Sequence, residues 1–158
     1  MPGPISRLLD PSQIILNVQS TRRIAALHEL AQRLRGHPDV TDFDGFYRDL
    51  LARDQLDTTC LGSGLAMPHA RTEHVRTIVM AVGRSERGIL FDHDQADVHL
   101  MFMLGTPLSK PGDYLQILGA FCKLLKDDAN HRAFLAAATP DDFIRAAVAA
   151  EEKRLVAV

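Results

Sequence analysis

Residues 98–104 read Val-His-Leu-Met-Phe-Met-Leu, and residues 77–82 read Thr-Ile-Val-Met-Ala-Val. Both are near-continuous apolar runs of strand length, so each predicts a strand covered on both faces. Covering both faces takes helices, and the flanking sequence supplies them. Ser20 or Thr21 can cap a helix in which Ile24, Leu27, Leu30, Ala31 and Leu34 recur at three- and four-residue spacings before Gly36 and Pro38 end it. Ile14 to Val18 reads as a short strand ahead of it. Thr41 can cap a second helix that runs to about Asp54 and buries Phe43, Phe46, Tyr47, Leu50 and Leu51. Beyond the breaker-rich stretch from Gly105 to Gly112, Asp113 begins a helix with Leu115, Leu118, Phe121, Cys122 and Leu125 on one side. Asp127 or Asp128 can cap a further helix around Phe134 and Leu135, and Thr139 followed by Pro140, Asp141 and Asp142 starts the last one. The expected fold class is α/β (α+β): a mixed central β-sheet flanked by helices. Residues 5–150 are expected to form a single domain, with 1–4 and 151–158 as terminal arms.

The composition narrows the function classes. A chain of 158 residues and 17.5 kDa can bury a core without metals or disulfides. Its net charge of -2 gives no basic footprint for nucleic acid. Cys60 and Cys122 are the two cysteines and form no CxxC pair, so neither a disulfide framework nor a thiolate metal site is expected. No leader-like start and no run approaching ~18 apolar residues is present, so a cytoplasmic protein without membrane insertion is expected.

Between Thr58 and Pro68 the sequence TTCLGSGLAMP predicts a strand, a tight turn at Gly62 and Gly64, and a short strand ending at His69. A histidine emerging from such a stiff segment suits an exposed nucleophile, because a neutral imidazole can attack phosphorus directly and form a labile N–P bond. The transferred group spreads negative charge over three oxygens and calls for fixed cations or oriented donors. Arg53, Arg71 and Lys110 are the cations nearby in sequence. A lone loop histidine is also commonly a hydrogen-bonded or solvent-facing side chain, and spacing leaves both readings open.

The stretch from Leu50 to Val75, LLARDQLDTTCLGSGLAMPHARTEHV, resembles the active-site signature of phosphotransferase-system enzyme IIA proteins of the fructose/mannitol class, including the nitrogen-regulatory branch. That family carries an arginine at an "LLxRE" helix end, a Ser/Thr pair, a "GxGxAxPH" turn and a phosphorylated histidine. The matching positions are Arg53, Thr58 and Thr59, Gly62, Gly64, Ala66, Pro68 and His69. The resemblance extends over roughly residues 5 to 150. It implies that His69 accepts phosphate from a histidine phosphocarrier protein of the HPr type and that Arg53 neutralises the phosphoryl charge. Arg71 and Thr59 are candidate supporting donors, and neither a cofactor nor a metal is implied. Downstream partners would be an enzyme IIB protein or a regulatory target, and a chain of this length favours the nitrogen-regulatory role over sugar uptake. A bland alternative for Arg53 is a cation at a helix C-terminus.

The sequence departs from the family at one place of consequence. A second histidine usually opens the helix after the breaker-rich loop, and Tyr114 is the best match for it here. A tyrosine hydroxyl can donate one hydrogen bond but cannot become a cation as histidine can. This raises a rival reading, a noncatalytic binding module that has lost efficient transfer. Cys60 and Ser63 also replace residues more often glycine and asparagine. The cluster from Asp92 to His99 invites a metal reading, but His99 inside an apolar strand is better explained as a satisfied core histidine. The partner surface is expected to surround His69 and to include apolar residues such as Leu65 or Met67, with His74 at its rim.

Overall fold

Alternation along two long strands builds the core. The computed structural model describes residues 3–56, 60–62, 64–91 and 97–156. Strand β5 (Val79–Leu90) and strand β6 (Asp97–Pro107) pair antiparallel at the centre of the sheet. Successive side chains point to opposite faces. Leu100, Phe102 and Leu104 therefore enter one apolar cluster with Met80 and Val82, while Met101 and Met103 enter the other with Val79 and Ala81.

Helix α1 (Arg23–Ala31) and helix α2 (Phe43–Leu56) cover one face through Leu27, Leu30, Phe46 and Leu50. Helix α3 (Pro111–Leu125), helix α4 (Asp128–Ala136) and helix α5 (Pro140–Val156) cover the other through Ile117, Phe121, Phe134 and Phe143. The result is the expected mixed sheet between helical layers. Among the described residues no helix is long and apolar enough to cross a membrane.

The sheet runs β1-β5-β6-β3-β2, with β1 (Ile14–Ile15) parallel to β5 and β2 (Cys60–Gly62) antiparallel to β3 (Leu65–Ala66). Strand β4 (His69–Thr72) also lies on β6. Both β3 and β4 are parallel to β6, pairing Leu65 with Leu100 and His69 with Leu104. Residues 65–72 thus form one interrupted edge along β6, broken at Met67 and Pro68. The sequence reading has this segment end at His69, whereas His69 opens a strand of its own. Backbone bonds clamp that strand at each end: Leu104 N–H donates to the Pro68 carbonyl at 2.9 Å and Leu108 N–H to the Thr72 carbonyl at 3.1 Å. The same pairing draws Gly105 to Pro107 into β6, although these residues read as breakers.

Several local expectations shift. Arg22, not Ser20 or Thr21, precedes α1, and the Ser20 hydroxyl donates instead to Glu29 Oε1 at 2.7 Å. Asp42, not Thr41, caps α2, its Oδ1 accepting from Gly45 N–H at 3.1 Å. Ile24 faces solvent, while Leu27, Leu30, Ala31 and Leu34 are buried. On α3 the buried positions are Ile117, Phe121 and Leu124, and Leu115 and Cys122 are exposed. Asp127 and Thr139 cap α4 and α5 as read from sequence, accepting from Ala129 and Asp142 N–H.

Helix α5 continues to Val156, past the point where the sequence reading begins a terminal arm. The buried Glu151 carboxylate explains the difference: it accepts from Ile5 and Ser6 N–H, each at 2.9 Å, and binds the start of the chain to this helix.

Candidate functional site

His69 lies where the two helical layers meet at the sheet edge. Clamped by β6, His69 is only 8% exposed. Its Nδ1 is 2.8 Å from the Met67 carbonyl oxygen. A carbonyl can only accept, so Nδ1 carries the ring hydrogen and Nε2 carries the lone pair. The Tyr114 hydroxyl, 3.1 Å from Nε2, then has one role open to it, donation to that lone pair. The two rings are tilted at 32° with centroids 5.4 Å apart. Tyr114 reaches this place because it heads the buried stripe of α3, one turn before Ile117.

A cavity of about 300 Å³ opens beside the ring, lined by Asp49 and Arg53 of α2, His69, Ala70 and Arg71 of β4, and Tyr114 of α3. Arg53 and Arg71 thus both line the cavity beside His69, and a guanidinium can present parallel donors to phosphoryl oxygens. Arg71 also lies over the Tyr114 ring, its guanidinium carbon 5.5 Å from the ring centre. Burial pushes the His69 pKa below its ordinary value; the Met67 hydrogen bond opposes that shift, and the Arg53 guanidinium adds to it. The ring is therefore neutral at physiological pH, as a nucleophile must be. The arrangement suits attack of Nε2 on an anionic electrophile.

Of the residues singled out from sequence, His69, Arg53, Arg71 and Tyr114 come together around this cavity. Thr59, with Thr58 and Ser63, lies outside the described residues. Lys110 caps α3 and does not line the cavity. His74 sits just behind the wall, its Nε2 4.0 Å from Asp49 Oδ2. His99 Nδ1 donates to the Ser85 carbonyl at 2.9 Å, and Asp92 to Ala96 of that cluster lie outside the described residues. Leu65 and Met67 are buried in the core beneath α3, so they cannot form a partner surface; the exposed apolar side chains near Tyr114 in sequence are Leu108 and Leu115.

Sequence reasoning missed two participants. Asp49 lines the cavity, and its one available signal is its place a single helical turn before Arg53. The Met67 carbonyl fixes the tautomer, but a backbone atom leaves no mark in composition or spacing.

Comparison with known proteins gives a consistent picture. The family model described as "Phosphoenolpyruvate-dependent sugar phosphotransferase system, EIIA 2" matches residues 7–147. The chain is 32% identical over 128 residues to a nitrogen regulatory protein of Bradyrhizobium diazoefficiens, covering 78% of this chain and 81% of that protein. It is 31% identical over 116 residues to a fructose-like EIIA component of Escherichia coli, covering 73% and 78%. A 2-O-alpha-mannosyl-D-glycerate-specific EIIABC component of Escherichia coli is 30% identical over 146 residues, 90% of this chain. The chain spans 22% of the length of that protein and of a fructose-specific EIIABC component of Bacillus subtilis. Among solved structures, nitrogen regulatory protein IIA-Ntr from Neisseria meningitidis superposes with a TM-score of 0.82 at 22% identity, covering 92% of this chain and 99% of that one. IIA mannitol from Escherichia coli superposes with a TM-score of 0.75 at 16% identity, covering 88% and 98%.

Proposed function

The chain belongs to the EIIA type-2 family of the phosphoenolpyruvate-dependent sugar phosphotransferase system, and on that premise we propose that it is a phosphohistidine carrier whose Nε2 of His69 holds the phosphoryl group. The observation that carries the proposal is an unprotonated Nε2, fixed by Nδ1 donation to Met67, beside a cavity lined by Arg53 and Arg71.

The donor is a phosphohistidine on an HPr-type carrier. The lone pair of His69 Nε2 attacks its phosphorus, the donor's N–P bond breaks, and the bonding pair returns to the donor's ring nitrogen. His69 keeps its Nδ1 hydrogen, so its ring becomes cationic as the new N–P bond forms. The Met67 carbonyl at 2.8 Å stabilises that positive charge. Arg53 and Arg71 meet the phosphoryl oxygens. The Tyr114 hydroxyl, having lost its acceptor at Nε2, turns its hydrogen to one of those oxygens. Thr59, by its family position, is a further donor.

Residues 5–150 act as one carrier unit in the cytoplasm, where phosphoenolpyruvate is made. Docking partners cover the exposed Leu108 and Leu115, which flank the start of α3. Downstream the phosphorylated chain controls a regulatory target, the nitrogen-regulatory role. A sugar-uptake role, with transfer to an enzyme IIB protein, is the second reading: identity to the nitrogen-regulatory relative is 32% and to the fructose-like one 31%, too close to separate them.

The test is incubation with phosphoenolpyruvate, enzyme I and a histidine phosphocarrier protein, read by intact mass at alkaline pH. The expected result is a gain of one phosphoryl group that is absent in His69→Ala. Absence of any gain with several competent donors overturns the proposal in favour of a noncatalytic binding module. Onward transfer to an enzyme IIB protein then separates sugar uptake from regulation.

A further inference from the structure

Phosphoryl capture by itself has no use for a carboxylate in the cavity wall, yet Asp49 lines the cavity that holds His69 and both arginines. It is also fixed there. The fully buried Thr72 hydroxyl donates to Asp49 Oδ2 at 2.7 Å and accepts from His74 N–H at 3.1 Å. With its hydrogen committed to Asp49 and a lone pair committed to His74, Thr72 holds the carboxylate against β4. Asp49 also precedes Arg53 by four residues on α2, so the two side chains share one face.

We infer that Asp49 tunes the phosphoryl-transfer potential of His69, opposing the phosphorylated state and competing with the phosphoryl group for Arg53. The inference rests on the phosphocarrier reading above. Two guanidiniums and one carboxylate leave the lining with one net positive charge; without the carboxylate it would have two. The more positive cavity would hold the dianionic group more firmly, and firm holding is a fault in a relay, which must release what it accepts. Asp49 keeps the exchange with the donor near balance. It does so through its field and through Arg53, without contact with the reacting atoms, and is a positioning and tuning residue rather than a catalytic one.

The experiment mixes the full-length chain with an equimolar phosphorylated histidine carrier until the ratio of phosphorylated forms stops changing, and reads both by intact mass. Asp49→Asn keeps an acceptor for Thr72 but removes the charge, and it is expected to raise the transfer equilibrium constant roughly five- to tenfold, the scale of one partly exposed charge. Asp49→Ala is expected to do the same, which covers a failure of the asparagine variant to fold. Asp49→Glu restores the charge and is expected to bring the constant back to within about twofold of the wild type. Thr72→Val keeps the charge while loosening its anchor, so it lowers the melting temperature with less than about a twofold change in the constant. A staple with no electrostatic role would move the melting temperature in both Asp49 and Thr72 variants and leave the constant alone. An unchanged or lowered constant in Asp49→Asn and Asp49→Ala overturns the inference while leaving the carrier reading intact. A wild-type chain that accepts no phosphate overturns both.

Discussion

Tyr114 Oη donates to His69 Nε2 across 3.1 Å, so the lone pair that attacks phosphorus in the proposed transfer is engaged in the resting protein. In the proposed transfer the same hydroxyl is a donor to the phosphoryl group afterwards, and the two effects oppose each other. Losing the resting bond favours Tyr114→Phe by about 1 kcal/mol, and losing a donor to a charged oxygen disfavours it by about 1.5–3 kcal/mol. Tyr114→Phe should therefore still be phosphorylated, at a modestly lower equilibrium level. Tyr114→His, which can carry a proton, should show a phosphorylated fraction that rises as pH falls through about 6.5, a dependence weaker in the wild type. Single-turnover transfer between pH 5.5 and 8 distinguishes the three.

Arg53 lowers the His69 pKa and, in the proposed transfer, meets the phosphoryl charge, and a single variant separates the two. Arg53→Gln removes a charge that lowers the His69 pKa, so the imidazole NMR titration midpoint should lie below the ordinary value in the wild type and move up in the variant. At pH 7.5 the ring is neutral in both proteins. A fall in transfer of about 10²-fold or more at that pH, the usual scale for a lost charge-stabilising donor, then reports the phosphoryl charge rather than the nucleophile.

The lowered His69 pKa also makes stability depend on pH. Between the folded value and about 6.5 the unfolded chain binds the proton more readily, so stability is present above that window and falls as pH drops through it. Urea midpoints at pH 7.5 and 5.5 should differ less in His69→Gln than in the wild type.

Arg23 at the start of α1 pairs with Asp54 at 3.1 Å, and that carboxylate is 2% exposed. Arg23→Gln withdraws a cationic partner from a buried anion and should cost about 2–4 kcal/mol in urea unfolding. Because Asp54 directly follows Arg53, transfer should fall as well. A stability loss with unchanged transfer would mean that the end of α2 is held by other means.

Two glycines should respond to alanine in opposite senses. A Cβ on Gly105 would meet Phe46 Cε1 at 2.7 Å, where α2 crosses β6, so Gly105→Ala should destabilise by about 1–3 kcal/mol. A Cβ on Gly119, within α3, meets nothing within 4 Å, so Gly119→Ala should stabilise by about 0.5–1 kcal/mol. Thermal melts of the pair check both.

What sequence conveyed and what it did not follow from the physics of each element. The runs at 77–82 and 98–104 announced strands because burial on both faces demands unbroken apolarity, and both strands proved longer than the runs. Helix α3 is apolar on several sides: of the residues expected on its buried side, Phe121 is buried and Leu118 and Leu125 pack against the core, whereas Leu115 and Cys122 face solvent and Ile117 and Leu124 take their place, because only the sheet beneath decides which stripe is buried. Strand β4, His-Ala-Arg-Thr, has no strand-like pattern; its ladder with β6 makes it one. At the candidate site, His69 and Arg53 are legible through the family signature, and Tyr114 as the position where the sequence departs from the family. Asp49 was not, since an aspartate on a polar helix face resembles any solvated charge until Thr72 is seen to hold it.

The Met67 carbonyl carries a chemical identity for the product. With Nδ1 tethered to it, rotating the ring would break that bond, so in the proposed transfer phosphorus joins the ring nitrogen farther from the backbone. The phosphoprotein of the proposed carrier would then be a single positional isomer, and a ¹⁵N-labelled sample should show phosphorus coupling at that nitrogen alone. A partner that takes the group onward meets it in one fixed direction, along the line from Nε2 into the cavity mouth, so regiochemistry and docking geometry are set by the same backbone oxygen.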